Sequence, residues 1–144
     1  MSRALVDTNI LVYAQDLDER VKRAAAIELI DRLTSMNEFV VSVQCLNEFA
    51  AVGLRRGWSI AEVGAAVETW SALADVLPIT KTATTQALAA VERHGLAFWD
   101  AVIWATAREA GISVIVTEDF QSGRQVEGIR FVNPFQRGDQ VDEG

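Results

Sequence analysis

Five short, continuous runs rich in Val and Ile constrain this chain more than any other feature. They are Ala4–Val6, Phe39–Val43, Val76–Ile79, Ser113–Val116 and Ile129–Val132. Runs of this kind suit strands buried on both faces, the condition of a parallel sheet covered by helices. Longer stretches of helical periodicity lie between them. Ile60, Val63, Val67, Trp70 and Ala74 form one apolar stripe, and Ser59 with Glu62 makes an S-x-x-E capping box at its start. Further helices are predicted over Glu19–Leu33, Gln44–Arg56, Thr82–His94 and Asp100–Ala110. Gly57, Gly95 and Gly111 each follow a helical run, where a left-handed residue is wanted. The string β-α-α-β-α-α-β-α-α-β-β predicts an α/β fold with helices on both faces of a parallel sheet. In such sheets ligands bind beyond the carboxyl ends of the strands.

A chain of 144 residues, half of them hydrophobic, buries about two-thirds of its surface and supports one core. We read residues 1–135 as a single domain and residues 136–144 as a polar, acidic, flexible tail. One cysteine, Cys45, forms no internal disulfide and reads as a small buried hydrophobe. No signal peptide or membrane span is legible, so the expectation is a soluble, cytoplasmic protein. The formal charge of −7 argues against nucleic-acid binding through a globally positive surface.

Acidic residues stand where the fold places its ligand. The first strand runs into Asp7-Thr8-Asn9 and the fourth into Thr117-Glu118-Asp119. Either carboxylate alone reads as a helix cap. Together at neighbouring strand ends they repel unless a cation lies between them. Glu48 and Asp100 sit in apolar helical surroundings without a basic residue at i+4. Asp100 can also serve as the N-cap of its helix. A buried carboxylate needs a partner, and a metal supplies one. Alternation along the fourth strand turns Thr117 and Asp119 into the crevice and Glu118 to its rim, although sequence leaves the choice between the two acids open. Asn9 shares a side with Asp7 and reads as a hydrogen-bonding neighbour. All-oxygen ligands select Mg²⁺ or Mn²⁺ over zinc. The one histidine, His94, ends a helix and is read as complementing its dipole. That leaves Ser-His or Cys-His catalysis little support, and no Gly-rich nucleotide loop occurs in the chain.

Val6-Asp7-Thr8-Asn9, Leu46-Asn47-Glu48, Phe98-Trp99-Asp100-Ala101, Thr117-Glu118-Asp119-Phe120 and the closing Asn133-Pro134-Phe135 resemble the PIN-domain family, and within it the VapC-type toxins of prokaryotic toxin–antitoxin pairs. The resemblance runs from Ala4 to Phe135. It implies a three-layer α/β/α sandwich whose five strands lie in the order 3-2-1-4-5. It implies an endoribonuclease dependent on Mg²⁺ or Mn²⁺, with Asp7, Glu48, Asp100 and Asp119 as catalytic metal ligands and Asn9 and Thr117 supporting them. Water activated by the metal would cut RNA directly at phosphorus. A cognate antitoxin docked between early helices and a homodimer are the implied partners.

Two other readings compete. One is a receiver-like phosphoacceptor domain that binds Mg²⁺. It needs a late lysine, and the chain's only lysines, Lys22 and Lys81, fit poorly. The other is a PIN-like binding module without catalysis. Trp70, Trp99 and Trp104 are expected in the core, and Trp58, at a helix junction, partly exposed. Tyr13, Arg55, Arg56, Arg93, Arg108, Arg124 and Arg137 are candidate RNA contacts, each with an ordinary surface role as the plainer alternative.

Overall fold

A computed structural model describes residues 2–120 and 123–136. The tail expected over residues 136–144 lies outside them apart from Gln136, as does Arg137. The elements run β1 (Ala4–Val6), α1 (Thr8–Gln15), α2 (Arg20–Ser35), β2 (Phe39–Ser42), α3 (Val43–Arg55), α4 (Ile60–Leu73), β3 (Asp75–Leu77), α5 (Lys81–His94), α6 (Phe98–Glu109), β4 (Val114–Val116), β5 (Gln125–Val126) and β6 (Ile129–Val132). The sheet order is β3-β2-β1-β4-β6-β5. Pairing is parallel from β3 through to β6, and β5 is antiparallel to β6. The expected order 3-2-1-4-5 is therefore present, with β6 as its fifth strand. The additional edge strand β5 spans only Gln125–Val126, too short for any periodicity to reveal.

The Val/Ile runs are strands for the expected reason. Every residue of β1, β2 and β4 is buried, because helices cover both faces of the sheet centre. The edge strand β3 is more open. The second strand stops at Ser42 and not at Val43, because the Ser42 hydroxyl caps α3 by accepting from the Cys45 amide at 3.2 Å. The third stops at Leu77, just before Pro78. The Ser59–Glu62 capping box forms in full. Gly57 and Gly95 adopt φ of 89° and 67° after α3 and α5, a region that costs glycine little. Among the described residues no helix is long and apolar enough to cross a membrane.

Two apolar residues depart from expectation. Ile60 opens the α4 stripe but is 80% exposed, since the first helical residue projects past the layer that Val63 and Trp70 bury. Trp104 and Trp70 are core and Trp58 is half-buried, whereas Trp99 is 57% exposed. Burial along α6 begins only at Ala101, so Trp99 stands beyond the core.

The hairpin joining β5 to β6 is tied to the helical layer by charge. Glu127 accepts from Arg93 Nη1 at 2.8 Å, meets His94 Nε2 at 2.6 Å and pairs with Arg108 at 3.0 Å. His94 thus has a carboxylate partner beyond the expected helix dipole. Hydrogen bonds from His94 and Arg93 hold the Glu127 carboxyl well down, at about 2 against an ordinary 4.5. The unfolded chain then binds this proton more readily than the folded one. The stabilisation is present above pH about 4.5 and is lost as pH falls toward 2. Glu127→Gln should therefore be less stable than wild type at neutral pH, with thermal melts of the two converging across that acid window. Parallel melting curves down to pH 2 would refute the assignment.

Candidate active site

The strand order reverses between β1 and β4. The chain moves outward from β1 through β2 to β3, then returns and moves outward the other way from β4 to β6. A crevice forms where such a reversal occurs. Parallel pairing of Val6 with Val116 sets the next residues, Asp7 and Thr117, side by side at its floor.

Asp7 is nearly enclosed, at 7% exposure, and caps α1. One carboxylate oxygen accepts from the Thr8 amide at 2.7 Å and lies 3.7 Å from the Cys45 thiol. The other accepts from the Thr117 hydroxyl at 2.8 Å. That hydroxyl in turn accepts from Asn9 Nδ2 at 3.1 Å and from the Asp119 amide at 3.2 Å. Asn9 Oδ1 accepts from the Glu118 amide at 3.2 Å. Asn9 and Thr117 therefore bind the two strand ends to each other and aim the Asp7 carboxylate.

Glu48 arrives from α3. It takes a hydrogen bond from the Thr8 hydroxyl at 2.8 Å, and its carboxylate, that of Asp7 and the Cys45 sulfur lie within 4.8 Å of one another. Asp100 is in the first turn of α6, where Ala97 and not Asp100 occupies the N-cap. Its carboxylate is thereby left free of capping. The negative charges of Asp119 and Glu48 reach both Asp7 and Asp100, so the four acids form one electrostatic group. Glu118 is turned away. It is bound by Lys22 Nζ and accepts from the Tyr13 hydroxyl at 2.6 Å. Burial alone would raise the Glu118 carboxyl, but these two hydrogen bonds prevail and hold it below the usual range.

Burial raises Asp7 to about 6 from 3.8, reinforced by the charges of Asp119 and Glu48 and only partly relieved by hydrogen bonds from Thr117 and Thr8. Asp100 is raised by burial first and by the same two neighbours. What restrains the rise at Asp7 is hydrogen bonding from Thr117 and Thr8, with no cationic side chain contributing among the described residues. Such a donor set suits a hard divalent ion, which would supply the missing positive charge. Cys45 lies close by but is fully buried, and burial drives its thiol strongly upward. It stays a neutral thiol, packing as the small hydrophobe expected.

Sequence does not single out Thr8 or Lys22 for the site, and it offers Tyr13 only as a candidate RNA contact. Thr8 lies next to Asp7, and that adjacency was an available signal. Lys22 was set aside as a poor phosphate ligand; the structure places it against Glu118 and over the rings of Tyr13 and Phe135, at 4.8 and 5.4 Å. Its α2 position carries no local mark of that role. Tyr13 also meets Phe135 edge-on at 5.2 Å, which seats the Asn133-Pro134-Phe135 segment on α1. Several candidate RNA contacts have intramolecular partners: Arg56 on Asp16 at 2.7 Å, Arg93 and Arg108 on Glu127, and Arg124 on the His94 carbonyl at 3.4 Å.

The PIN domain family matches residues 4–124, the stretch that carries all four acids. This chain belongs to the PIN domain family. Solved structures share its fold. VapC20 of Mycobacterium tuberculosis, described as a sarcin-ricin loop cleaving toxin, superposes with a TM-score of 0.62 at 24% identity, over 78% of this chain and 86% of that one. A toxin–antitoxin complex from Klebsiella pneumoniae gives 0.68 at 19%, over 92% and 98%. DNA-bound VapBC from Salmonella typhimurium gives 0.64 at 23%, over 91% and 97%. At these identities the likeness is one of fold. A sequence comparison with curated proteins returns no match. Membership of the PIN family displaces the receiver-like reading, and the engagement of Lys22 by Glu118 agrees with that.

The raised Asp7 carboxyl has a thermodynamic consequence. Without metal the folded state holds the proton more tightly than the unfolded one. Stability therefore falls as pH rises from about 3.8 through about 6. Asp7→Asn keeps the helix cap and removes the buried charge. In EDTA at pH 7 it should be more stable than wild type, by up to about 3 kcal/mol, and its stability should fall less across that pH range, the remaining fall coming from the raised Asp100. A lower melting temperature than wild type at pH 7 would overturn this account.

Proposed function

We propose that this PIN domain is an endoribonuclease dependent on Mg²⁺ or Mn²⁺ and the toxin of a toxin–antitoxin pair. The observation that carries the reading is the buried Asp7 carboxylate with Glu48 beside it, within electrostatic reach of Asp119, a charge that Asp100 also feels. Asp7 and Asp100 would hold the principal ion, with Glu48 and Asp119 completing the set. Asp119 is preferred to Glu118 because Glu118 is already engaged by Lys22 and Tyr13. When bound, the ion supplies Lewis acidity: it makes water acidic enough to attack at neutral pH and neutralises charge on the phosphate.

The chain's own residues do the rest. Thr117 and Thr8 fix the rotamers of Asp7 and Glu48, and Asn9 fixes Thr117. The carboxylates face the scissile phosphate together. Attack by water at phosphorus, with the 2′-hydroxyl uninvolved, leaves 5′-phosphate and 3′-hydroxyl ends. A cytoplasmic location is proposed with this reading.

The antitoxin would cover the face between α1 and α4. Leu17 and Ile60 are 74% and 80% exposed there, by a cleft lined by Asp16, Leu17, Asp18, Trp58 and Glu62. An amphipathic segment with basic flanks complements that surface. A toxin–antitoxin complex is described for the Klebsiella relative, which supports this partner, and a homodimer is proposed with it.

The decisive experiment is cleavage of single-stranded RNA with end-group mapping. Asp100→Asn should lose at least about a hundredfold in rate while melting no lower than wild type, and EDTA should abolish wild-type cleavage. Full activity in EDTA, or 2′,3′-cyclic phosphate ends, would exclude the mechanism. A wild-type protein that binds metal yet cuts nothing would return the binding-module reading.

A further inference from the structure

We propose that Trp99 is a stacking platform for an unpaired RNA base beside the scissile phosphate. The proposal rests on the ribonuclease reading above and adds to it a means of holding substrate that does not depend on charge.

Four tryptophans occur in the chain. Three pack into or against the core, whereas Trp99 is 57% exposed. It directly precedes Asp100, and its position in the first turn of α6, ahead of the buried stretch that starts at Ala101, carries the indole past the core at the acid-bearing end of the helix. Phe98 lies alongside, itself partly exposed, with ring centroids 5.2 Å apart at 70°. The backbone under the indole is anchored. Buried Gln44, on α3, donates from Nε2 to the Trp99 carbonyl at 3.1 Å. Gln44 belongs to the helix that carries Glu48, and Trp99 to the helix that carries Asp100. One hydrogen bond thus ties the backbone at Trp99 to the helix that carries Glu48.

Electrostatics says what such a face is for. The acid group repels phosphate, the chain is at −7, and Lys22, beside the crevice, is engaged by Glu118. Lys22 is therefore not free to capture the substrate. A base stacked on an indole is attracted without any cation, and every base offers a π-face. Bases within a duplex are already stacked on both faces, so the contact selects unpaired nucleotides. The exposed indole is a positioning residue: it sets where the chain of nucleotides lies against the acids and takes no part in bond breaking.

The test compares wild type, Trp99→Ala and Trp99→Phe on a short single-stranded oligoribonucleotide with Mg²⁺. Trp99→Ala should raise KM about five- to a hundredfold, the range of one lost base–aromatic stack, with kcat changed far less. Trp99→Phe should recover most of the loss. The ratio of the two KM values should stay nearly constant as salt is raised. Replacing single nucleotides of the substrate by abasic ones should reproduce the loss in wild type at one position near the cut and add nothing to Trp99→Ala there. If wild type cleaves and Trp99→Ala keeps its KM, the platform falls and the ribonuclease reading stands. If wild type neither binds nor cleaves RNA, both fall. An unchanged KM together with an altered oligomeric state by light scattering assigns the indole to a protein contact and overturns the proposal.

Discussion

Because β1 pairs with β4 in parallel, Val6 against Val116, the segments that follow the two strands emerge together, far apart in sequence and adjacent in space. Asp7 and Thr117 become hydrogen-bonded neighbours across 110 residues. Asn9 and Glu118 are bound by the same geometry. Asp119 follows β4 in the same segment, and α3 and α6 supply Glu48 and Asp100. If this pairing slipped by one residue, alternation would turn the crevice residues to the opposite face, and the acid group would have no floor.

That floor is costly to the fold. A carboxylate removed from water, with two like charges in range, lowers stability unless something positive joins it. The molecule limits the penalty with neutral donors, Thr117, the Thr8 amide and the Cys45 thiol, none of which cancels the charge. Lys22, which approaches the same strand end, is engaged by Glu118. The arrangement is poor as a structural salt-bridge cluster and well suited to receive a divalent ion. The acidic balance of the whole chain acquires a different meaning in this light. Four of its twenty acids belong to the proposed site, so part of what seemed to exclude a nucleic-acid substrate is the equipment proposed to cut one.

Legibility followed the range of the interactions. Strand runs, the Ser59–Glu62 box and the glycine that ends α5 depend on a few neighbouring residues, and they read correctly. One boundary moved where a side chain decided it, at Ser42, which closes β2 and caps α3; α6 starts after Ala97 with no side-chain cap, in place of the cap considered for Asp100. Trp99 was misplaced because an apolar residue in an apolar helix reads as core. Its exposure depends on how far α6 extends past the sheet, and no local pattern records that distance. The short β5 strand and the Glu127 cluster escaped notice for a related reason: two strand residues and one carboxylate in a turn acquire meaning only from what folds against them.

The order of Val/Ile runs and helical stripes was enough to specify a parallel α/β sheet, and with it the end of the sheet where acids matter, since burial and periodicity are written in neighbouring residues. The choice between Glu118 and Asp119 was not written there. Both follow the same strand, and only the arrival of Lys22 and Tyr13 from α2 and α1 drew Glu118 aside. The elevation of Asp7 and the exposure of Trp99 are of the same kind. Each follows from distances and desolvation among groups that share no local sequence, quantities that exist only once the chain has closed on itself.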